Sequence, residues 1–401
     1  MKKTPKLRFK EFSGDWQEKK VQELCDTITD YVAAGSFESI RNNVTYYNND
    51  NFAQLIRTID LKNNFKNKDF IFVDENAFNF LYRVNLNENS IILPNIGANI
   101  GESYYLEPNK LPNKNNVLGP NAILLKNKYN NTKYVYYLFN TKKFHKQLVQ
   151  MIGASGQPKF NKTELKQMKF YIPSKEEQEK IASFLSLIDN KISLQSEKVE
   201  ALKDYKKGMM QKIFNRELRF KDDEGRDYPE WEEKKLGDIV IKKKKGGNAV
   251  YCENGNILLN NEYMENNTKP SYVENEIDVN IKDILILWDG SQAGKIYTGF
   301  TGVLGSTFVS ITLDKYNCNR FIYQQLIYNL AKIQIAWREG SGVPHVAKDF
   351  IENFKVKVPL LDEQIKISKI LDRIDIKLKK EQEKLNSLNE YKKGLLQQMF
   401  I

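Results

Sequence analysis

The chain is poor in the residues that thiol and metal chemistry need. Its three cysteines, Cys25, Cys252 and Cys318, lie far apart without partner spacing. That excludes a disulfide framework and a zinc site, and fits a reducing, cytoplasmic setting. There are two histidines, His145 and His345. Neither has Cys, Asp or Glu at ligand spacing, so both read as structural or surface residues and no metal site is expected. No apolar run approaches the length of a membrane span, and no apolar core follows the basic start of the chain. Neither a transmembrane helix nor a secretory signal is therefore expected.

Catalytic patterns are missing as well. No Gly-x-Gly-x-x-Gly follows a strand, and no Asn- or Asp-Pro-Pro-aromatic motif of amino-methyltransferases occurs. Gly290-Ser-Gln-Ala-Gly294-Lys295 is one residue short of a phosphate loop and lacks the Ser or Thr that a magnesium ion needs. Its counterpart Gly97-Ala-Asn-Ile-Gly101-Glu102 has Glu in place of Lys, so both read as glycine-permitted turns. The Glu-x-Lys of Glu18-Lys19-Lys20 and Glu233-Lys234-Lys235 has no preceding strand Asp to make a nuclease site. With no nucleophile beside a base, no catalytic residue is assigned, and the chain reads as a binding protein.

What is present is a folded composition with a basic surplus. Of 401 residues, 41% are hydrophobic and 12% aromatic, enough for two or three domains. The net charge of +11 favours polyanions, nucleic acid ahead of a membrane surface.

The dominant pattern is a long helical seam that occurs twice. In residues 173–214, Ile181, Leu185, Ile188, Ile192, Gln195, Val199, Leu202, Lys206, Met209 and Ile213 follow steps of four and three. That is the 3.5-residue period of a coiled coil. Ser174 and Glu177 after Pro173 form a capping box at its start. About 40 residues at 1.5 Å each make a rod of roughly 60 Å. A displacement of 186 residues gives the second seam: Ile367, Leu371, Ile374, Leu378, Glu381, Leu385, Leu388, Lys392, Leu395 and Met399. There the loss of the Ser moves the expected N-cap to Asp362. The two seams are expected to bury each other; docking of each rod on its own domain is the alternative. Gly208 and Gly394 interrupt good helix formers at equivalent places, which suggests close packing of a neighbour.

The repeat extends upstream. Leu7-Arg8-Phe9 answers Leu218-Arg219-Phe220, and Trp16-Gln-Glu-Lys-Lys answers Trp231-Glu-Glu-Lys-Lys. The chain is thus a tandem duplication of domain and rod. The fold class read from this is α+β: two mixed domains and two long helices pairing antiparallel about a pseudo-two-fold axis. In the first domain residues 91–93, 103–106, 122–126 and 169–172 read as strands and 134–151 as one helix. In the second, 284–287, 296–299, 308–313 and 354–358 are strands and 320–337 one helix. Residues 27–68 and 242–280 do not resemble each other and show little regular pattern. They are free to bind different ligands, or to drift as surface loops.

Signals for DNA lie in these domains. Lys242, Lys243, Lys244 and Lys245 precede Gly246-Gly247, and long cations beside a flexible backbone suit phosphate contact; a solvated loop is the alternative. Ser155-Gly156-Gln157-Pro158-Lys159 and Ser341-Gly342-Val343-Pro344-His345 are equivalent loops. Gln157, Lys159, Gln292, Lys295 and Arg338 are candidate DNA contacts, Gln and Arg being able to read base edges in pairs of hydrogen bonds.

The duplication, the Pro-x-x-x-Glu-Gln-x-x-Ile opening of each rod, the Tyr-Lys-Lys-Gly near each end and the Ser-Gly-x-Pro loops resemble the specificity subunit of type I restriction–modification systems. The resemblance covers essentially the whole chain. It implies target recognition domains at residues 1–170 and 216–356, and conserved spacer helices at 171–215 and 357–401. It implies a subunit without catalysis that binds a bipartite, asymmetric site in double-stranded DNA and recruits two methyltransferase subunits and restriction subunits. S-adenosylmethionine, ATP and magnesium would belong to those partners, and none to this chain. A coiled-coil adaptor without DNA specificity is the competing reading.

Overall fold

The computed structural model describes residues 4–127, 130–152, 158–266, 268–340 and 342–401. The chain forms two compact units, 1–194 with 384–401, and 195–383. Each unit holds one mixed domain and segments of both rods, Lys175–Phe214 and Leu361–Gln398.

In the first unit a four-stranded antiparallel sheet runs in the order Thr27–Asp30, Ala122–Lys126, Ser90–Pro94, Tyr104–Leu106. Ile123 and Leu125 face one core with Ile91 and Leu93, while Ala122 and Leu124 face another with Ile92. Successive side chains point to opposite faces. The unbroken apolar runs that read as strands are therefore buried on both sides. The second unit repeats this. Its sheet order is Val240–Lys245, Phe308–Leu313, Ile284–Leu287, Ile296–Thr298. Ile284 and Ile286 meet one core, Leu285 and Leu287 another.

A further pairing closes each domain. Gln17–Lys20 lies antiparallel to Lys169–Ile172, and Glu232–Lys235 antiparallel to Lys355–Val358. The strand that opens each domain thus sits beside the strand that leads into its rod.

Several expectations are corrected. Each expected single domain helix is two: Thr132–Phe139 then Lys142–Ile152, and Asn319–Tyr328 then Leu330–Ala336. Thr141 ends the first by donating to the Leu138 carbonyl and caps the next by accepting from Phe144 N. Asn329 does similar work by donating to the Gln325 carbonyl. Such side chains compete for backbone groups and favour helix ends. The divergent segments are not irregular. Residues 27–68 hold two strands, a 3₁₀ turn and two short helices. Residues 242–280 hold most of one strand, three others and a helix. Their strands are two to six residues long, too short for periodicity to register.

All twenty seam positions are buried or half-buried, whereas Leu187, Leu194 and Ile376 on other faces are exposed. Both sequence readings of the seam hold at once, on different stretches. Ile181 and Leu185 join the first domain's core, as do Leu395 and Met399 of the other rod. Ile367 and Leu371 join the second domain's core, as does Ile213. Ile192, Leu202, Leu378 and Leu388 belong to no domain core. In the second unit Gln195 donates to Glu381 at 2.7 Å and Lys206 pairs with Asp375 at 2.5 Å. One index rises as the other falls, so the rods run antiparallel. In the first unit Lys392 pairs with Asp189 at 2.6 Å. Lys206 and Lys392 are equivalent in the repeat, as are Asp189 and Asp375, so one ion pair is built twice.

The rod starts also differ from expectation. Ser174 does accept from Glu177 N, at 3.4 Å, but the Glu177 carboxylate turns to Arg8 instead of closing the box. The second rod begins at Leu361, where Gln364 N donates to the Leu360 carbonyl. Asp362 is thus in its first turn, where an acid favours the helix dipole, and is not the N-cap. Gly208 and Gly394 have no neighbour within 4 Å of a Cβ position, so close packing within this chain does not explain them.

Candidate nucleic-acid interface

The joint between rod and domain comes first, because it fixes what the domain presents. Glu177, 1% exposed, takes two hydrogen bonds from Arg8 at 2.8 and 2.7 Å. Its counterpart Glu363, fully buried, takes them from Arg219 at 3.3 and 3.0 Å and a third from Trp231 Nε1 at 3.2 Å. A buried carboxylate needs such partners. The next residue bonds backbone on both sides. Gln178 donates to the Pro173 carbonyl and accepts from Asn131 N; Gln364 donates to the Pro359 carbonyl and accepts from Cys318 N. The Glu-Gln that opens each rod is therefore a clamp that ties rod, domain helix and the Leu-Arg-Phe segment together. Sequence reasoning recorded the motif without its job, because Arg8 lies 169 positions from Glu177.

On each domain a glycine turn meets a second loop. Gly97, Gly101, Gly290 and Gly294 all have positive φ, between 91° and 121°, which L side chains rarely adopt. Gly97 N donates to the Pro158 carbonyl at 3.3 Å, and Gly290 N to the Pro344 carbonyl at 2.8 Å. In the second unit the other loop is a hairpin, Arg338–Glu339 paired with His345–Val346. Arg338 donates to the Ser291 carbonyl at 3.2 Å, next to exposed Gln292. Lys245 pairs with Asp289, which bridges His345. The fold thus gathers Lys245, Gln292 and Arg338 on one surface. His345, the end of the loop the sequence singled out, and Asp289, which it did not, join them there.

The remaining candidates are placed differently. Lys295 bonds Glu265, whose pKa is lowered first by that bond and then by the one from Tyr297; its charge is already met. The four lysines are not on a flexible loop. They form the end of Val240–Lys245, bonded to Phe308–Leu313. Gly246 follows because a Cβ there would collide with the Gly305 carbonyl oxygen. Lys243 pairs with Glu352, and Lys244 with Asp278. Lys242 and Lys244 line a cleft of about 440 Å³ with Asn248 and Asn275. The Lys243 pair is exposed and worth little, so phosphate can replace its carboxylate; Asp278 is mostly buried and also accepts from Leu304 N. In the first unit Lys159 is exposed and bridges Ile96; Gln157 lies outside the described residues. The residues expected to pair the rods, Ile181, Leu185, Ile188, Ile192, Leu202, Ile367, Leu371, Ile374, Leu378 and Leu388, are all buried or half-buried, Ile181, Leu185, Ile367 and Leu371 within domain cores. Among the described residues no group of three His, Cys, Asp or Glu could hold a metal ion, and no helix is long and apolar enough to cross a membrane.

Two alike domains thus carry unlike exposed surfaces, and the family comparison says what kind of protein is built this way. The profile of the type I restriction modification DNA specificity domain matches residues 13–204 and 228–390, and the chain belongs to that family. It is similar to the MjaVIII specificity subunit of Methanocaldococcus jannaschii, 34% identical over 199 residues. That match covers 47% of this chain and 46% of the relative, so the chain aligns with about half of that protein. The putative MjaX specificity subunit of the same organism is 29% identical over 304 residues, 69% of this chain and 70% of the relative. In fold the chain resembles the type I restriction-modification S subunit from M. genitalium, with a TM-score of 0.62 at 18% identity over 99% of both chains. A chain from a type I restriction-modification assembly follows, with a TM-score of 0.56 at 12% identity over 95% of this chain and 96% of that one.

Proposed function

We propose that this chain is the sequence-reading subunit of a type I restriction–modification complex and performs no catalysis itself. Each domain reads one half of a bipartite, asymmetric site in double-stranded DNA, with domains at 1–170 and 216–356 and rods at 171–215 and 357–401. The rods set the gap between the half-sites and dock two methyltransferase subunits, to which restriction subunits add. S-adenosylmethionine, ATP and magnesium are used by those partners, in the cytoplasm. The observation that supports this most is the pairing of one scaffold with two surfaces. Clamp, sheet and glycine turn recur in both units, while residues 27–68 and 242–280 carry unlike side chains. Duplicated scaffolds with unlike surfaces suit two half-sites of unlike sequence.

The test is a map of methylated positions in a cell that expresses the chain with its methyltransferase. A split site with two unlike halves and a constant gap is expected. A palindromic or unbroken site, or methylation without sequence preference, would overturn the reading.

A further inference from the structure

The two domains differ most at one shared place in the fold. Thr27–Asp30 and Val240–Lys245 are equivalent strands, each pairing at the same edge of its four-stranded sheet. In the second domain that strand ends in four lysines. In the first it ends after Asp30 and gives way to the 3₁₀ turn Tyr31–Ala34 and the helix Phe37–Asn43.

That replacement has an unusual surface. Phe37 is 86% exposed and Tyr82 62%. Val32 is also exposed. Single exposed apolar residues are ordinary, but grouped ones mark contact sites. Arg83 Nη1 donates to the Ala33 carbonyl at 3.2 Å and Nε to the Tyr82 hydroxyl at 3.0 Å. The guanidinium is thus held in place by neutral oxygens. Neither Arg83 nor Arg41 has a carboxylate within ion-pair distance among the described residues, which they share with Arg338 and Arg373, whereas Arg8, Arg57, Arg216, Arg219, Arg226 and Arg320 are all paired. Two unneutralised arginines beside a projecting ring fit a polyanion with stackable bases. The patch is also tied to the segment that follows Lys159. Asp30, which caps the 3₁₀ turn, takes a hydrogen bond from Lys162, three residues after Lys159.

We propose that Phe37 is a wedge that the first domain inserts at a base step of its half-site, with Arg83 and Arg41 on the flanking backbone. The second domain grips the duplex at the same place through lysines alone. This rests on the DNA-reading function proposed above. Apolar wedges flanked by arginine unstack a step and make the preference depend on how easily that step deforms. Lysines on phosphates add affinity and salt dependence without discrimination.

The test selects duplexes from a randomised pool with the purified full-length chain, then measures binding to the enriched duplex. Phe37→Ala is expected to bind about tenfold more weakly, in line with the loss of one stacked base. It should flatten the preference in one half of the site only and leave the salt slope unchanged. Phe37→Trp should restore both. With 2-aminopurine at that half, fluorescence should rise on binding to the wild-type chain and to the Trp variant, but not to the Ala variant. Wild-type selection with an unchanged Phe37→Ala profile overturns the wedge and leaves the function standing. Selection of no sequence by the wild-type chain overturns the DNA-reading function and the wedge with it. Melting curves identical to wild type, which the exposure of Phe37 predicts, keep misfolding out of the comparison.

Discussion

At the scale of residues, the joint carries the sharpest consequences. Glu363 is fully buried and bonded by both Arg219 and Trp231, so Glu363→Ala strands an indole N–H and takes from Arg219 its buried carboxylate, leaving it the exposed Glu230 and the Tyr228 and Pro229 carbonyls. Removing one partner of such a pair costs about 3 kcal/mol. Thermal unfolding should show a clear loss, whereas Glu230→Ala, at an exposed pair with Arg219, should change little. Equal effects would mean that the clamp is incidental. Glu177→Ala should cost less, because Trp16 Nε1 has no partner among the described residues and so loses none. Gly208 and Gly394 point the other way. A methyl group at either meets open space, so Gly208→Ala and Gly394→Ala should each stabilise a rod by up to about 1 kcal/mol. If the melting temperature of the isolated chain falls, the local space is not as described. The sequence displayed both features through their repetition. It could not assign them, since one needs a partner far along the chain and the other needs knowledge of an absence.

At the scale of elements, long periodicity was legible and short elements were not. A seam held over some 40 residues accumulates signal at each turn, and its inward side agrees with the heptad reading at every position. Strands of two to six residues in the divergent segments give no period to read, and their pairings are set by distant partners such as Gly302 with Val279. The helix breaks at Thr141 and Asn329 were equally hidden, because an apolar pattern passes through both. The seam also turns out to be divided in its duties, which separates two kinds of mutant. Leu185→Asp or Leu371→Asp places a charge inside a domain core; a buried Leu is worth roughly 1.5–3 kcal/mol and the buried charge adds more. These variants should unfold a domain as well as part the rods. Ile192→Asp and Leu388→Asp touch no domain core, so they should loosen the rods alone. Limited proteolysis would distinguish the outcomes: cleavage confined to the rods for the second pair, and loss of a resistant domain fragment for the first. Protected rods in Ile192→Asp would mean that pairing does not depend on that stretch.

At the scale of the whole molecule, duplication was the most legible property, and the unlike surfaces were the least. Common parts betray themselves by matching; residues 27–68 and 242–280 do not match in sequence, so the sequence could mark them only as divergent. Among the candidate contacts, Arg338, Gln292 and Lys245 were placed together by a turn-to-hairpin bond that no local pattern encodes, while Lys295 was drawn off to Glu265. The division of labour between common and divergent parts leads to a prediction for a chimaera. Replacing residues 1–170 with the equivalent domain of a family member that carries the Leu-Arg-Phe arginine keeps both clamps, since Glu177 and its arginine partner are then both present. The second domain keeps its four lysines, its glycine turn and its hairpin. Selection from a randomised duplex pool should therefore return a site with one new half, one old half and the old gap. The chimaera's salt slope should change only by the difference in phosphate contacts between the two first domains, at just under one unit of slope for each contact. A site altered in both halves would mean that the reading surfaces are not confined to their own domains. A changed gap with both halves kept would mean that the domain, and not the rods, fixes the spacing.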